Sequence, residues 1–465
     1  MKRAIRSVAV TMLGLMAFSV VWLTWVQTRA GAQYRDDPRN VRAFEAPAGP
    51  SRGRIITFDD VVVAEDDDGT RRYPEGRAYA HIVGFDSSSA QSGVERTRFA
   101  ALASRHDGSL TAWLLRLLGA DLGPPDVRLT IVDEVQQAAV AALGNRTGAV
   151  VAIDPRTGAV LAYVSSPSFD PNDVVSGELS PTDEGAAEAL LDRVADHVLP
   201  PGSTFKVLVA AAAIRAGLNP DSEVEAGSSY TPPGGGMPIR NAGGEGCGGN
   251  PISLTRAMVV SCNTAFARLA VELGGDYVVA AAEAAGFNKA IPWETGAVVS
   301  SIPTGGELQA DPPALAQTGI GERDVRVTPL LMALIAAAIA NDGAAMAPYV
   351  VDSVVAPNGE VLESTDPRVL HRLVPRQAAS ALTEMMIAVV ESGTGSPAAV
   401  AGIDIAAKTG TAEGSGGPHA WIIAFGPADD PTIAVAVVVE GGGSGGRVAG
   451  PIAAEVISAW IEFAR

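Results

Sequence analysis

Apolar and polar positions change their spacing several times along this chain, and each change marks a candidate element. Residues 7–26 contain no charged side chain and are rich in Val, Leu, Met and Trp. A run of about 20 uncharged residues can span a bilayer as a single helix. The next region, residues 33–126, is polar and irregular. It carries short strand-like runs at Arg54–Thr57 and Val61–Ala64, a turn at Glu65–Gly69 and a short apolar helix at Leu110–Leu118. Asp121–Asp126, with Gly123-Pro124-Pro125, reads as a linker. A small α+β module is therefore expected over residues 33–126.

Regular spacing returns after the linker. Val127–Ile131 is a predicted strand and Glu134–Leu143 a predicted helix. Two strand-like runs, Gly148–Ile153 and Ala159–Val164, flank the turn signal Asp154-Pro155-Arg156-Thr157-Gly158. Alanine-rich helices are expected at Val207–Ala216, Leu254–Leu273, Pro329–Ala340 and Arg376–Glu391. Strands follow at Ile403–Lys408, Trp421–Phe425 and Thr432–Val439, then a last helix, Ile452–Phe463, with a broad apolar face. Gly234–Gly249 has too little apolar content for an element and reads as a surface loop. Strands at both ends of residues 127–465 and helices between them predict one α+β domain with a sheet assembled from both ends.

Charge sharpens this outline. The 465 residues carry a formal net charge of -18, which argues against nucleic acid as a partner. Basic residues at the extreme N-terminus, Lys2, Arg3 and Arg6, precede the apolar run. This predicts a cytoplasmic tail over 1–6, an anchor over 7–26 and an extracytoplasmic remainder in a single-pass membrane protein. A cleaved signal peptide is the competing reading, since Ala30-Gly31-Ala32 resembles a cleavage site. The length of the run and its Trp22 and Trp25 favour retention. An exported protein can form disulfides, so Cys247 and Cys262 are a candidate pair, with two separate buried thiols as the alternative. Two cysteines and five scattered histidines give no metal-ligand spacing, and no cofactor is implied.

Lysine usage points to chemistry. Of 34 basic residues only four are lysines: Lys2, Lys206, Lys289 and Lys408. A desolvated lysine can give up its proton, whereas arginine under protein conditions does not. Lys206 follows Ser203 by three residues, at the start of an alanine-rich helix behind Pro200-Pro201-Gly202. Residues so spaced share one helix face. Ser203 is then a candidate nucleophile with its own base. Ser261-Cys262-Asn263 offers a second hydroxyl to relay a proton and a carboxamide to hold a peptide group. Lys408-Thr409-Gly410-Thr411, expected at a strand end, offers a cation, two hydroxyls and a glycine that admits a ligand to the backbone. Each motif alone is weak: the first can be a helix cap with a solvated lysine, and the second most often caps a helix.

Together, and in this order, the three motifs resemble those of the penicillin-recognising acyl-serine enzymes. The likeness is closest to class B penicillin-binding proteins, of the penicillin-binding protein A type. It extends through Thr318-Gly319-Ile320-Gly321, Asn341-Asp342-Gly343, Gly393-Thr394-Gly395 and His419-Ala420-Trp421, and through Arg52-Gly53-Arg54-Ile55 and Arg72-Tyr73-Pro74 upstream. One departure is Glu322, where many members carry glutamine. The resemblance implies an antiparallel sheet flanked by helices, an all-helical lobe and an N-terminal pedestal that resembles a dimerisation domain. It also implies a peptidoglycan D,D-transpeptidase acting on stem peptides in wall synthesis and cell division. In that scheme Ser203 attacks D-Ala-D-Ala and Lys206 takes its proton. Ser261 relays a proton, and the N–H groups of Ser203 and Thr411 stabilise the oxyanion. Asn263 binds the peptide backbone, while Lys408, Thr409 and Thr411 hold the terminal carboxylate, with Gly410 leaving room. β-Lactams would trap Ser203. A polytopic glycan polymerase and division proteins are the implied partners.

Three other functions share parts of this pattern. A D,D-carboxypeptidase would use the same acyl-enzyme with water as acceptor, and the motifs do not separate the two. A penicillin-binding sensor or scaffold would carry a cytoplasmic domain, for which six residues before the anchor leave no room. Gly442-Gly443-Ser444-Gly445-Gly446 fits the Gly-x-Ser-x-Gly pattern of serine hydrolases, but it is expected in a glycine-rich turn without a strand-to-helix elbow.

Overall fold

Two sheets organise the chain, and both draw strands from distant parts of the sequence. The structure is a computed structural model that describes residues 2–25, 52–67, 69–88, 90–103, 123–414 and 416–465. The helix expected at 110–118 and residues 121–122 of the expected linker lie outside these. Helix α1 spans Lys2–Trp25, and its described side chains, Met12, Phe18 and Trp22 among them, are exposed. Among the described residues no helix is long and apolar enough to cross a membrane, although many side chains of α1 and the last residue of the expected anchor are outside that set.

The first sheet starts with β1 (Ile55–Ile56), β2 (Val62–Asp67) and β3 (Thr70–Arg72), and β4 (Asp126–Leu129) lies parallel to β1. Next in sequence come β5 (Gly148–Ile153) and β6 (Val160–Ser166), a hairpin of the second sheet. A later hairpin, β7 (Val351–Val355) and β8 (Val361–Ser364), returns to the first sheet. That sheet then has the order β8-β7-β4-β1-β2-β3. The hairpin is absent from the sequence expectation because its outer strand is fully exposed, with Val361 and Leu362 both on the surface. Without a buried face there is no period-2 signal to read.

The second sheet is completed by β9 (Ala406–Ala412), β10 (His419–Gly426) and β11 (Ile433–Val439), in the order β9-β10-β11-β5-β6 with every neighbour antiparallel. The strand expected to stop at Lys408 instead runs through Thr409-Gly410-Thr411. These residues pair one by one with β10, from Ala406 opposite Phe425 to Ala412 opposite His419. Glycine and threonines weaken the strand pattern locally, and the ladder overrides it.

The faces of this sheet separate two cores. Along β11, Ile433, Val435 and Val437 face one core while Ala434, Ala436 and Val438 face the other. The first is covered by α2 (Asp133–Leu143) and by the C-terminal helix. The second is filled by α7 (Pro329–Ala340), hydrophobic on every side and buried from Pro329 to Ile339, as a central helix must be. Thr328 caps α7 by accepting from Leu331 N, and Pro329 takes the first turn, where its missing N–H costs nothing. Leu334→Ala there would cost about 2–5 kcal/mol. Further helices are α3 (Lys206–Arg215), α4 (Leu254–Val259), α5 (Asn263–Leu273), α6 (Pro312–Thr318), α8 (Arg376–Ser392) and the C-terminal α9 (Gly445–Phe463).

Two helix expectations need correction. The single helix expected over 254–273 is broken at Val260-Ser261-Cys262, because Ser261 adopts φ 54° and no α-helix continues through that conformation. The last helix starts at Gly445 rather than Ile452, with Pro451 inside it. Its glycines serve close packing: a Cβ on Gly445 would lie 2.1 Å from Gly410 O and 2.2 Å from Trp421 O.

Candidate active site

Backbone contacts hold the nucleophile segment. Gly202–Phe205 form one 3-10 turn that leads into α3, so the α-helix proper begins at Lys206 and not at Ser203. Gly202 has φ 53°, and a Cβ there would meet Thr411 O at 2.7 Å. Its N–H donates to Gly321 O at 2.9 Å. A Cβ on Gly321 would in turn fall 2.0 Å from Gly202 O. Ser203, partly exposed, is fixed at the entrance to α3, where free backbone N–H groups favour negative charge.

Lys206 is fully buried. Its Nζ donates to Ser261 O at 2.8 Å and to Asn263 Oδ1 at 2.6 Å, and lies 3.2 Å from Ser261 Oγ. Among the described hydrogen bonds none joins it to Ser203. The break between α4 and α5 is what aims Ser261 and Asn263 at this amine. Asn263 Nδ2 donates onward to Arg240 O at 2.9 Å, which fixes the amide so that its oxygen faces Lys206.

Lys408, also fully buried, reaches the same hydroxyl from the other side: its Nζ donates to Ser261 Oγ at 2.9 Å and to Thr409 O at 2.7 Å. Ser261 Oγ thus bridges the two amines. Gly410 lets β9 lie against the nucleophile turn, since a Cβ there would meet Pro201 O at 2.8 Å and Thr204 Cγ2 at 2.9 Å. Thr411 is exposed at the edge strand, and its Oγ1 accepts from Gly445 N at 3.4 Å.

The electrostatics follow from burial. Desolvation, and then the nearby Lys408 charge, hold the Lys206 ammonium well below the usual lysine range, while the Glu322 carboxylate opposes them. Desolvation brings Lys408 down to about 7. A neutral Lys206 has two N–H donors, which match its two pure acceptors, Ser261 O and Asn263 Oδ1. Its lone pair is left for a hydroxyl. The arrangement suits an amine that takes a proton.

Several residues join the site that motif spacing alone did not assign. Thr394 Oγ1 lies 2.7 Å from Thr409 Oγ1, which fixes that hydroxyl. Asn241 Oδ1 accepts from Thr264 N at 3.0 Å and from Thr264 Oγ1 at 3.2 Å, tying the glycine-rich loop to α5. Cys247 and Cys262 are joined by a disulfide, so the same loop is also covalently attached beside Ser261. Thr394 lies within Gly393-Thr394-Gly395, one of the segments that carries the family resemblance; Asn241 had no signal beyond its loop. His419, buried, accepts from Gly441 N at 3.2 Å through Nδ1, and burial lowers its pKa. Residues 440–444 do connect β11 to α9, contrary to expectation, but Ser444 is exposed and its side chain caps nothing. Among the described residues no group of acidic, His or Cys side chains could hold a metal ion.

The model for the penicillin binding protein transpeptidase domain matches residues 148–458, and that for the penicillin binding protein A dimerisation domain matches residues 52–121. The chain belongs to the penicillin-binding protein transpeptidase family. This penicillin-binding protein is 38% identical to peptidoglycan D,D-transpeptidase PbpA of Mycolicibacterium smegmatis over 99% of both chains. It is 36% identical to the PbpA of Mycobacterium tuberculosis, again over 99% of both. Among solved structures it is similar to the imipenem acyl-enzyme complex of penicillin-binding protein A from M. tuberculosis. The TM-score is 0.82 at 36% identity, over 89% of this chain and 99% of that one. The D,D-transpeptidase domain of a peptidoglycan glycosyltransferase from Eggerthella lenta gives 0.80 at 34% identity, over 89% and 99%.

Proposed function

We propose that this protein is a serine-type peptidoglycan D,D-transpeptidase that forms an acyl-enzyme at Ser203 and is trapped there by β-lactams. The observation that carries the reading is Ser261 Oγ set between two buried amines, Lys206 at 3.2 Å and Lys408 at 2.9 Å. Ser203 Oγ attacks the carbonyl of the D-Ala-D-Ala bond as its proton passes to neutral Lys206. The backbone N–H groups of Ser203 and Thr411 receive the oxyanion; β9 is the edge of its sheet, so alternate peptide groups face the Ser203 turn. Collapse breaks the C–N bond, and the leaving amine takes a proton relayed through Ser261. An acceptor amine then attacks the ester, the acyl C–O bond breaks, and the amine's proton passes through Lys206 to Ser203 Oγ, which restores both groups. Asn263 binds the peptide backbone, and Lys408 with the Thr409 and Thr411 hydroxyls binds the terminal carboxylate.

The reading includes a single N-terminal membrane anchor over residues 7–26, an extracytoplasmic catalytic region, and roles in wall synthesis and division beside a polytopic glycan polymerase; sequence supports these. A mature N-terminus near Gln33 in membrane-purified protein would refute the anchor. Labelling with fluorescent penicillin, then mass spectrometry, tests the chemistry: the adduct is expected on Ser203, and an unlabelled protein refutes the assignment. Cross-linked product from stem-peptide donor and amine acceptor is expected; release of D-Ala alone would decide for a carboxypeptidase.

A further inference from the structure

Glu322 stands at the meeting point of the two segments that the chemistry needs in register. It directly follows Gly321, whose carbonyl accepts from Gly202 N at 2.9 Å and whose Cα abuts Gly202 O so closely that no side chain fits. Its own N–H donates to Gln317 O at 3.1 Å, which seats it on the end of α6. Its carboxylate accepts from Glu413 N, at 3.2 Å through Oε1 and 3.4 Å through Oε2. Glu413 comes two residues after Thr411, just past the end of β9. One side chain therefore links the turn carrying Ser203 to the strand carrying Lys408 and Thr411. Among the described residues it forms no ion pair, so its charge is not consumed by a neighbouring cation.

We propose that Glu322 is a positioning residue for acylation: its carboxylate braces the end of β9 against the Ser203 turn. The inference rests on the assignment of Ser203 and Lys206 above. Four groups decide the charge. Burial raises the Glu322 carboxyl to about 7; the Glu413 N–H bond opposes this, Glu413 adds to it, and Arg326 and Lys206 pull it back. Arg326 is held by the carbonyls of Arg323 at 2.6 Å and Val325 at 2.8 Å on its own loop, and acts at a distance. Reciprocally, Glu322 is the group that raises Lys206 against desolvation and the charge of Lys408.

The brace is testable with the full chain. Glu322→Gln keeps an acceptor for Glu413 N and loses only the charge. Glu322→Ala loses both. Second-order acylation by a fluorescent penicillin is measured from about pH 5 to pH 9 for all three proteins, with melting temperatures as the folding check. The plateau of Glu322→Ala is expected to fall roughly tenfold below that of Glu322→Gln, as the oxyanion strand loses its brace. Equal plateaus for the two folded variants overturn the brace. A wild type that never acylates at Ser203 overturns the underlying assignment and this proposal with it, an outcome distinct from the first.

Discussion

Replacing Lys206 by arginine keeps the positive charge and should nevertheless abolish useful acylation. The amine at this position is fully buried and sits among Ser261 O at 2.8 Å, Asn263 Oδ1 at 2.6 Å and Ser261 Oγ at 3.2 Å, with no carboxylate among its hydrogen-bond partners. Desolvation and Lys408 push it toward the neutral form. A guanidinium would stay protonated in the same place. It could still donate to the two fixed acceptors, but it would have no lone pair for the Ser203 proton. Loss of a positioned base typically costs about a hundred- to ten-thousand-fold in rate, or about 3–5 kcal/mol of barrier. Lys408→Arg is the internal comparison. That residue serves as a cation for the substrate carboxylate, so its replacement should cost about tenfold, the worth of one modest polar contact. The assay is the second-order rate of acylation by a fluorescent penicillin, with melting temperature confirming that each variant folds. Acylation of Lys206→Arg within tenfold of wild type would refute the base assignment.

Three further outcomes follow from the same geometry. Acylation should decline as pH rises through about 7, where Lys408 loses the proton that attracts the substrate carboxylate; a β-lactam whose carboxylate is esterified should lack this alkaline limb. Reducing the Cys247–Cys262 disulfide, or replacing both cysteines by serine, should lower stability by about 3 kcal/mol in the chain-entropy model for a loop this short; an unchanged denaturant midpoint would contradict it. Gly321→Ala should depress acylation at least tenfold in protein that still folds, because the new Cβ would fall 2.0 Å from Gly202 O and push the nucleophile turn off its register.

The chemistry was more legible in the sequence than the architecture around it. Three short motifs sufficed to nominate Ser203, Lys206, Ser261, Asn263 and Lys408, because scarce lysines at motif spacing are a local signal. The conformation that makes them converge was not readable. Ser261 lies in an alanine-rich stretch whose apolar spacing continues on both sides, and its left-handed backbone is imposed by its surroundings rather than by any glycine or proline. The early start of α9 was hidden for the opposite reason: glycines that usually end a helix here let it press on β9 and β10. Hairpin β7–β8 has an exposed outer strand, so it left no alternation to detect.

That hairpin bears on how the chain reaches its folded state. Leu129 in β4 pairs with Val351 in β7, so a strand made early has to wait for a partner that arrives only after most of the catalytic region has been synthesised. Until then β4 has an open edge opposite β1, and open edges recruit foreign strands. Contacts so distant in sequence also close slowly. A fragment beginning at residue 130 would expose β7 in the same way, and a fragment ending at 130 would expose β4. Expression trials that divide the protein just after β4 should therefore yield two sticky halves, whereas co-expressed halves have the means to recombine along that shared seam.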